Sequence, residues 1–501
     1  MSERAILALD QGTTGSTALI VGASGRILGR AYSEFTQHFP QPGWVEHDAE
    51  EILEVTLKVG REAIAATQGA AIEGIGITNQ RETIVLWDRN TLKPAARAIV
   101  WQDGRTASMC RRLKDEGREE EYRRRTGLVL DPYFSGTKIA WLLDSDPELR
   151  RRAEAGELAA GTIDSWLIAR LTGGAVHATD PTNASRTLLY DLDSRQWESA
   201  LAEPLGVPLQ LMPEIRNSSG DFGTSTADAF GTELPICGVA GDQQAALFGQ
   251  GCFGSGQAKN TYGTGAFLLM NTGQDHVISK YGLLTTAACD HMGEPAFALE
   301  GSVFIAGAAI QWLRDGLGLI GSAGETEALA AGVESTAGVS FVPAFAGLGA
   351  PHWQPEARGT ITGLTRGTTR AHLARAALES MAFRTAEVLE AMTSDSGRTL
   401  AELTVDGGVA ANGWLMGFQA DVLGLPVRRP AMLETTAIGA AGLAGLETGI
   451  WASGEEFMAA RDEPAVFAPT MAEAERDRLR AQWDRAMRSA LAWAADGAPT
   501  Q

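Results

Sequence analysis

AILALDQGTTGSTALIVG, residues 5–22, sets two apolar runs around a polar turn of glycines and hydroxyls. Apolar segments of this length on either side of a Gly-Thr turn predict a β-hairpin. Asp10 stands at the end of the first strand, with Gln11, Gly12, Thr13 and Thr14 in the turn. Glycines let backbone amides approach an anion closely, and an acid at a strand end can hold Mg²⁺ through water. The segment by itself equally fits a polar turn with a capping aspartate.

Strands are expected outward from this hairpin at 74–78, 83–88 and 98–101, alternating with helical stretches at 48–67 and 104–116. That alternation marks an α/β domain. Half a chain later, KNTYGTGAFLLMN (259–271) again places a glycine-threonine turn, Gly263-Thr264-Gly265, before an apolar run. A duplicated α/β unit with a nucleotide cleft between its halves would explain the recurrence. Strands at 338–345 and 402–408, a helix over 370–394 and a capping box at Thr470/Glu473 before a C-terminal helix complete the outline. The helix 370–394 carries Leu378, Met381, Val388 and Met392 near one face. The C-terminal stripe Leu479, Trp483, Met487 and Leu491 reads as packing.

The chain of 501 residues exceeds what one core supports, which points to two large domains. Its 62 acidic against 42 basic residues give a net charge of −20, which disfavours nucleic acid and anionic membrane surfaces as partners. Any triphosphate must therefore be held locally, by amides and a metal ion. Four widely spaced cysteines (Cys110, Cys237, Cys252, Cys289) read as reduced thiols of a cytoplasmic protein. No P-loop and no protein-kinase motif set is present, and the GxGxxG strings at 249–254 and 316–321 lack a βαβ context.

Three further segments carry candidate chemistry. GDQQAALFG (241–249) puts Asp242 at a strand-to-helix turn, as a helix cap or a general base. NQRETIVLWD (79–88) sets Arg81 beside Glu82; both can serve one site only if they lie in the turn before the strand. VDGGVAANGW (405–414) runs a strand into a Gly407-Gly408 turn near Asn412, open enough for a flat ring or simply a structural connection.

Together these segments resemble the FGGY carbohydrate kinase family, and within it the glycerol-phosphorylating members. The likeness extends over PGWVEHD (42–48), TGLVLDPYFSGTK (126–138), ATDPTNASRT (178–187), ALEGSVFIAGAAIQWLRD (298–315), PAFAGLGAPHW (343–353) and GLTRG (363–367). It implies two actin-like (ribonuclease-H-type) domains, here 1–252 and 253–501, closing over ATP and Mg²⁺. By position it implies a glycerol pocket of Arg81, Glu82, Trp101, Tyr133, Asp242, Gln243 and Phe267, with Asp242 as general base. The nucleotide side would comprise Gln11, Gly12, Thr13, Thr14, Gly263, Thr264, Gly307, Gln311, Gly408 and Asn412, with Asp10 at the metal. A homodimer or homotetramer is implied as well.

The chain departs from the family pattern in three places. Thr17 stands where many members carry Arg, so another cation must compensate or ATP use is weaker. Asp103 and Gly104 replace bulkier or basic residues. Glu233 replaces an Arg associated with fructose 1,6-bisphosphate inhibition, which is therefore expected to be absent. The competing expectations are an FGGY kinase for a pentulose, gluconate or erythritol, and an actin- or Hsp70-like ATPase.

Overall fold

The first hairpin forms as expected, with strands Arg4–Gln11 and Gly15–Gly22 antiparallel and Asp10 directly opposite Thr17. In the computed structural model, which describes residues 2–67 and 69–495, this hairpin lies within a five-stranded sheet. The strand order is Ile236–Gly241, Ala71–Asn79, Arg4–Gln11, Gly15–Gly22, Ile27–Glu34. Alternate residues of the first strand serve two cores, as the twofold period of a strand requires. Ala5, Leu7 and Leu9 pack with Ile52, Val59 and Ala63 of helix Ala49–Ala65. Ile6 and Ala8 pack with Ile438 and Ala441 of helix Thr435–Glu447, which comes from the far end of the chain.

The second Gly-Thr hairpin repeats the plan. Pro295–Val303, Ala266–Gly273 and Ala258–Tyr262 form an antiparallel set, and Leu403–Asp406 and Val427–Arg429 continue it in parallel. Arg4–Gln11 occupies the corresponding position in the first sheet, with two antiparallel neighbours on one side and two parallel strands on the other. Edge strands Leu284–Cys289 and Ala465–Phe467 extend the second sheet to seven. Helix Arg370–Ser396 is buried through most of its middle, including all four residues of its expected face.

The halves meet through helices Asp242–Gly249 and Thr435–Glu447, whose small residues permit near backbone contact. A Cβ added at Gly249 would lie 2.2 Å from Thr435 O, and one at Gly439 only 1.8 Å from Ala245 O. Either position rejects a side chain for steric reasons alone.

The first half also carries a four-stranded sheet (Glu46–His47, Ala98–Ile99, Ile84–Asp88, Leu158–Thr162) and the helices between 107 and 154. This insertion has its own core around Tyr122, Phe134 and Leu143, and it carries Trp101 and Tyr133.

Several expected boundaries are corrected. The strand expected over 98–101 is only Ala98–Ile99, that over 338–345 only Ser340–Val342, and that over 402–408 stops at Asp406. The helices expected at 48–67 and 104–116 are Ala49–Ala65 and Ala107–Asp115, with Asp48 capping the first. The Thr470/Glu473 capping box does not form. The Thr470 amide and hydroxyl both bind Asp421 Oδ1, and the helix starts at Glu473. A tertiary acceptor has outcompeted the local one. All four cysteines are buried and free, and neither GxGxxG string opens a βαβ unit. Among the described residues, no helix is long and apolar enough to cross a membrane.

Candidate active site

Asp242 opens helix Asp242–Gly249 at the end of strand Ile236–Gly241. It is the first helical residue and not the cap; Oδ1 accepts from the neighbouring Gln243 amide. The turn is fixed from behind, where the Gly241 amide donates to Thr182 Oγ1 in the ATDPTNASRT segment. Asp180 caps that short helix through the amides of Thr182 and Asn183.

Arg81 and Glu82 lie in the turn between strands Ala71–Asn79 and Ile84–Asp88, the arrangement required for a shared site. Glu82 takes φ +62°, a costly conformation for a side-chain-bearing residue, held here by burial and a 2.6 Å ion pair to Arg186. Arg81 Nε lies 3.1 Å from Asp242 Oδ1, yet its N–H has no hydrogen-bond acceptor among the described residues. A buried guanidinium N–H beside a carboxylate, with no acceptor in line, fits a ligand hydroxyl that accepts from the one and donates to the other. Tyr133 and Trp101 meet edge to face at 5.6 Å beside it. Lys259 joins the remaining pair, its Nζ donating to Gln243 Oε1 and to the Phe267 carbonyl at 3.3 Å. Lys259 thus links the Gln243 side chain to the Phe267 backbone.

The phosphate candidates form two braced turns. Gln80 Nε2 donates to Gln11 Oε1 at 3.1 Å and to Gly12 O at 3.2 Å, and Gln37 Nε2 donates to Thr13 O at 2.9 Å. The Trp101 indole N–H reaches Thr13 Oγ1 at 2.9 Å, tying the polyol wall to the first turn. In the second turn, Gly263 O and Thr264 O accept from the amides of Gly307 and of Ala306 and Ala308. A Cβ at Gly307 would lie 2.6 Å from Gly263 O, and one at Gly407 2.3 Å from Tyr262 O, whereas Gly408 faces open space. Gln311 ends the short helix Gly307–Gln311 and is exposed. Asn412 caps helix Gly413–Leu423 through the Leu415 amide and donates to Thr326, so much of its polar capacity is structural.

Asp10 and Asp242 repel one another. Burial, then the charge of Asp242, pushes the Asp10 carboxyl up to about 7. Burial also raises Asp242, against the opposing effect of Arg81. Two repelling carboxylates fit a divalent cation. Among the described residues, no cluster of three or more metal-ligating side chains exists.

Sequence reasoning left Asp103 unexplained. Its buried carboxylate accepts from the Val45 and Arg105 amides and pairs with the Arg105 guanidinium, which lies 3.8 Å over the Trp44 ring. It therefore braces the loop that carries Trp101. Reasoning from sequence also missed Arg186, Glu300 and Lys259, all fully buried. Their signal was present as charged residues within otherwise buried segments of the quoted motifs.

The pattern of the FGGY carbohydrate kinase N-terminal domain matches residues 5–249, and that of the C-terminal domain matches residues 258–448. A glycerol kinase of Dechloromonas aromatica is 56% identical over 495 residues, covering 98% of this chain and 99% of the relative. One from Alkalilimnicola ehrlichii is 57% identical with the same coverage. The crystal structure of Plasmodium falciparum glycerol kinase with ADP superposes with TM-score 0.93 at 37% identity, covering 98% of this chain and 99% of that one. Gluconate kinase from Lactobacillus acidophilus shares the fold at TM-score 0.88 with 19% identity. Two matched sheets, a carboxylate-bearing turn between them and full-length likeness at this level place the chain in the FGGY family of carbohydrate kinases, among its glycerol kinases.

Proposed function

We propose that the protein transfers the γ-phosphoryl group of ATP to glycerol by direct in-line displacement, giving sn-glycerol 3-phosphate, as the entry step of glycerol catabolism. The observation that carries this reading is the place of Asp242, whose Oδ1 lies 3.1 Å from Arg81 Nε and whose charge acts on the Asp10 carboxyl. A glycerol hydroxyl gives up its proton only near the transition state, and a carboxylate raised by burial is a suitable acceptor. Arg81, Glu82, Tyr133 and Gln243 orient the hydroxyls, while Trp101 and Phe267 pack the carbon chain. The turns at Gly12–Thr14 and Gly263–Thr264, with Gly307, Gly408, Gln311 and Asn412, hold the nucleotide. Asp10, with Asp242 nearby, would hold Mg²⁺ through water, and the ion neutralises phosphate charge when bound.

In this reading the halves 1–252 and 253–501 close on the substrates and exclude water. The enzyme works in the cytoplasm as a homodimer or homotetramer. Glu233, exposed after the Gly231 turn, makes it insensitive to fructose 1,6-bisphosphate. The test is ADP release coupled to a reporter, measured with glycerol, dihydroxyacetone, erythritol and xylulose. Glycerol should give the highest kcat/KM. A preference for xylulose or erythritol would reassign the substrate, and polyol-independent turnover would indicate an ATPase.

A further inference from the structure

The polar residues of the proposed polyol pocket belong to the first half, yet the Arg81 guanidinium is held from the second. Strand Pro295–Val303 carries Glu300 between buried neighbours, itself 0% exposed. Its carboxylate takes Arg81 in a forked pair, Nη1 to Oε2 at 2.6 Å and Nη2 to Oε1 at 3.1 Å. Arg186 Nη2 reaches the same Oε1 at 3.0 Å, and Arg186 Nε donates to Glu82 Oε1 at 2.6 Å. Gln244 Oε1 accepts the other Nη1 hydrogen of Arg81 at 3.2 Å, while Gln244 Nε2 binds Thr286 Oγ1 and Ala287 O of the second sheet.

The donor count then decides what Arg81 can offer. A guanidinium has five N–H groups in a rigid plane. Glu300 and Gln244 take both on Nη1 and one on Nη2, leaving the Nε–H and one Nη2–H. A bidentate carboxylate fixes the plane of its arginine as no single contact does. It therefore fixes the direction of these two N–H groups, of which Nε lies 3.1 Å from Asp242 Oδ1.

We infer that Glu300 is a positioning residue for polyol recognition, aiming Arg81 at the substrate across the boundary between the halves. This rests on the polyol-kinase reading above and deepens it. Glu300 touches no substrate itself. Burial opposes its charge, but the two arginines more than offset that and hold the carboxyl down at about 2, so the clamp stays ionised throughout the working range.

The test compares steady-state kinetics of the full chain with Glu300→Gln and Glu300→Asp, varying glycerol and ATP separately. Glu300→Gln keeps the shape but loses the charge and one acceptor oxygen. The expected result is a rise of ~100-fold in the glycerol KM, the scale of a misaimed binding group, with the ATP KM within about threefold. Glu300→Asp keeps the charge on a shorter arm and should recover part of the loss. In an Arg81→Gln background, Glu300→Gln should add little, because the group it aims is gone. If Glu300→Gln fails to fold, Glu300→Asp carries the test. A folded variant whose glycerol KM stays within threefold of the parent overturns the inference, as does an equal rise in both KM values. A parent enzyme without glycerol-dependent turnover would instead sink the polyol-kinase reading, a result separable from either.

Discussion

The first glycine-threonine turn places residues 12–15 between the paired Gln11 and Ser16, whereas the second places only 263–265 between Tyr262 and Ala266. Both turns end a strand with an antiparallel partner on one side and a parallel partner on the other. Their surroundings differ in kind. Two residues before the glycine stands Asp10 in the first half and Thr261 in the second; four before it stand Ala8, in an apolar core, and the buried Lys259. Opposite Asp10 lies Thr17, while opposite Thr261 lies Phe267. Side-chain amides brace the first turn, and backbone amides of residues 306–308 brace the second. The two turns share a backbone plan but differ in electrostatics. One half places an acid, Asp10, before its turn, and the other a buried cation, Lys259, whose Nζ binds Gln243 of helix Asp242–Gly249.

That division can be broken most sharply at its junction. Asp242→Asn removes the base but keeps its shape, and kcat should fall by ~10³-fold with the glycerol KM little changed. Near-normal kcat in this variant would discard the general-base assignment. Behind the second turn, Gly307→Ala drives a methyl toward Gly263 O, 2.6 Å from where it would sit. The ATP KM should rise by ~10-fold or more while the glycerol KM holds, since overpacking of this kind displaces the backbone by a fraction of an ångström. Equal effects on both substrates would show that the turns are not separable.

The first turn is sharpened by pH. Asp10 must lose its proton to serve a cation, so the Mg²⁺ concentration giving half-maximal rate should climb by ~10-fold per pH unit below about 7. The sign for stability is the reverse. A carboxyl raised to about 7 in the folded state favours the protonated form, and its contribution to stability is lost as pH rises through that value. Mg²⁺ should therefore raise Tm more at pH 8 than at pH 6, which thermal melts would show directly. The smallest expected effect belongs to Thr17→Arg. Thr17 faces Asp10 across the hairpin, and directly opposed residues share a face, so a guanidinium there would stand beside the carboxylate. The Mg²⁺ pH dependence should shift to lower pH by a few tenths of a unit, with the ATP KM about twofold to threefold lower. No shift would mean that an arginine at this position does not act on this acid.

Local chemistry made much of this legible in advance. The glycine-threonine turns, the strands feeding them and the helix behind Asp242 follow from apolar runs and turn residues within a dozen positions of one another. The strand endings at 98–101 and 338–345 were overestimated because a short apolar run does not reveal where its partner stops. The Thr470 box failed for a related reason: Asp421, 49 residues earlier, offered a better acceptor. Asn412 reads as open to ligand in sequence, but the helix behind it claims its carbonyl oxygen.

The amino-acid sequence by itself determined the repeated hairpins, the two-half α/β plan and the acids at strand ends, because backbone propensity and hydrophobic period act between near neighbours. Only the tertiary structure decided which charges face one another. Arg81 and Glu300 are 219 residues apart in the chain, and Arg186 and Glu82 are 104. Their pairing depends on two sheets meeting in one register, since a buried charge acquires its role from whatever the rest of the chain brings within a few ångströms.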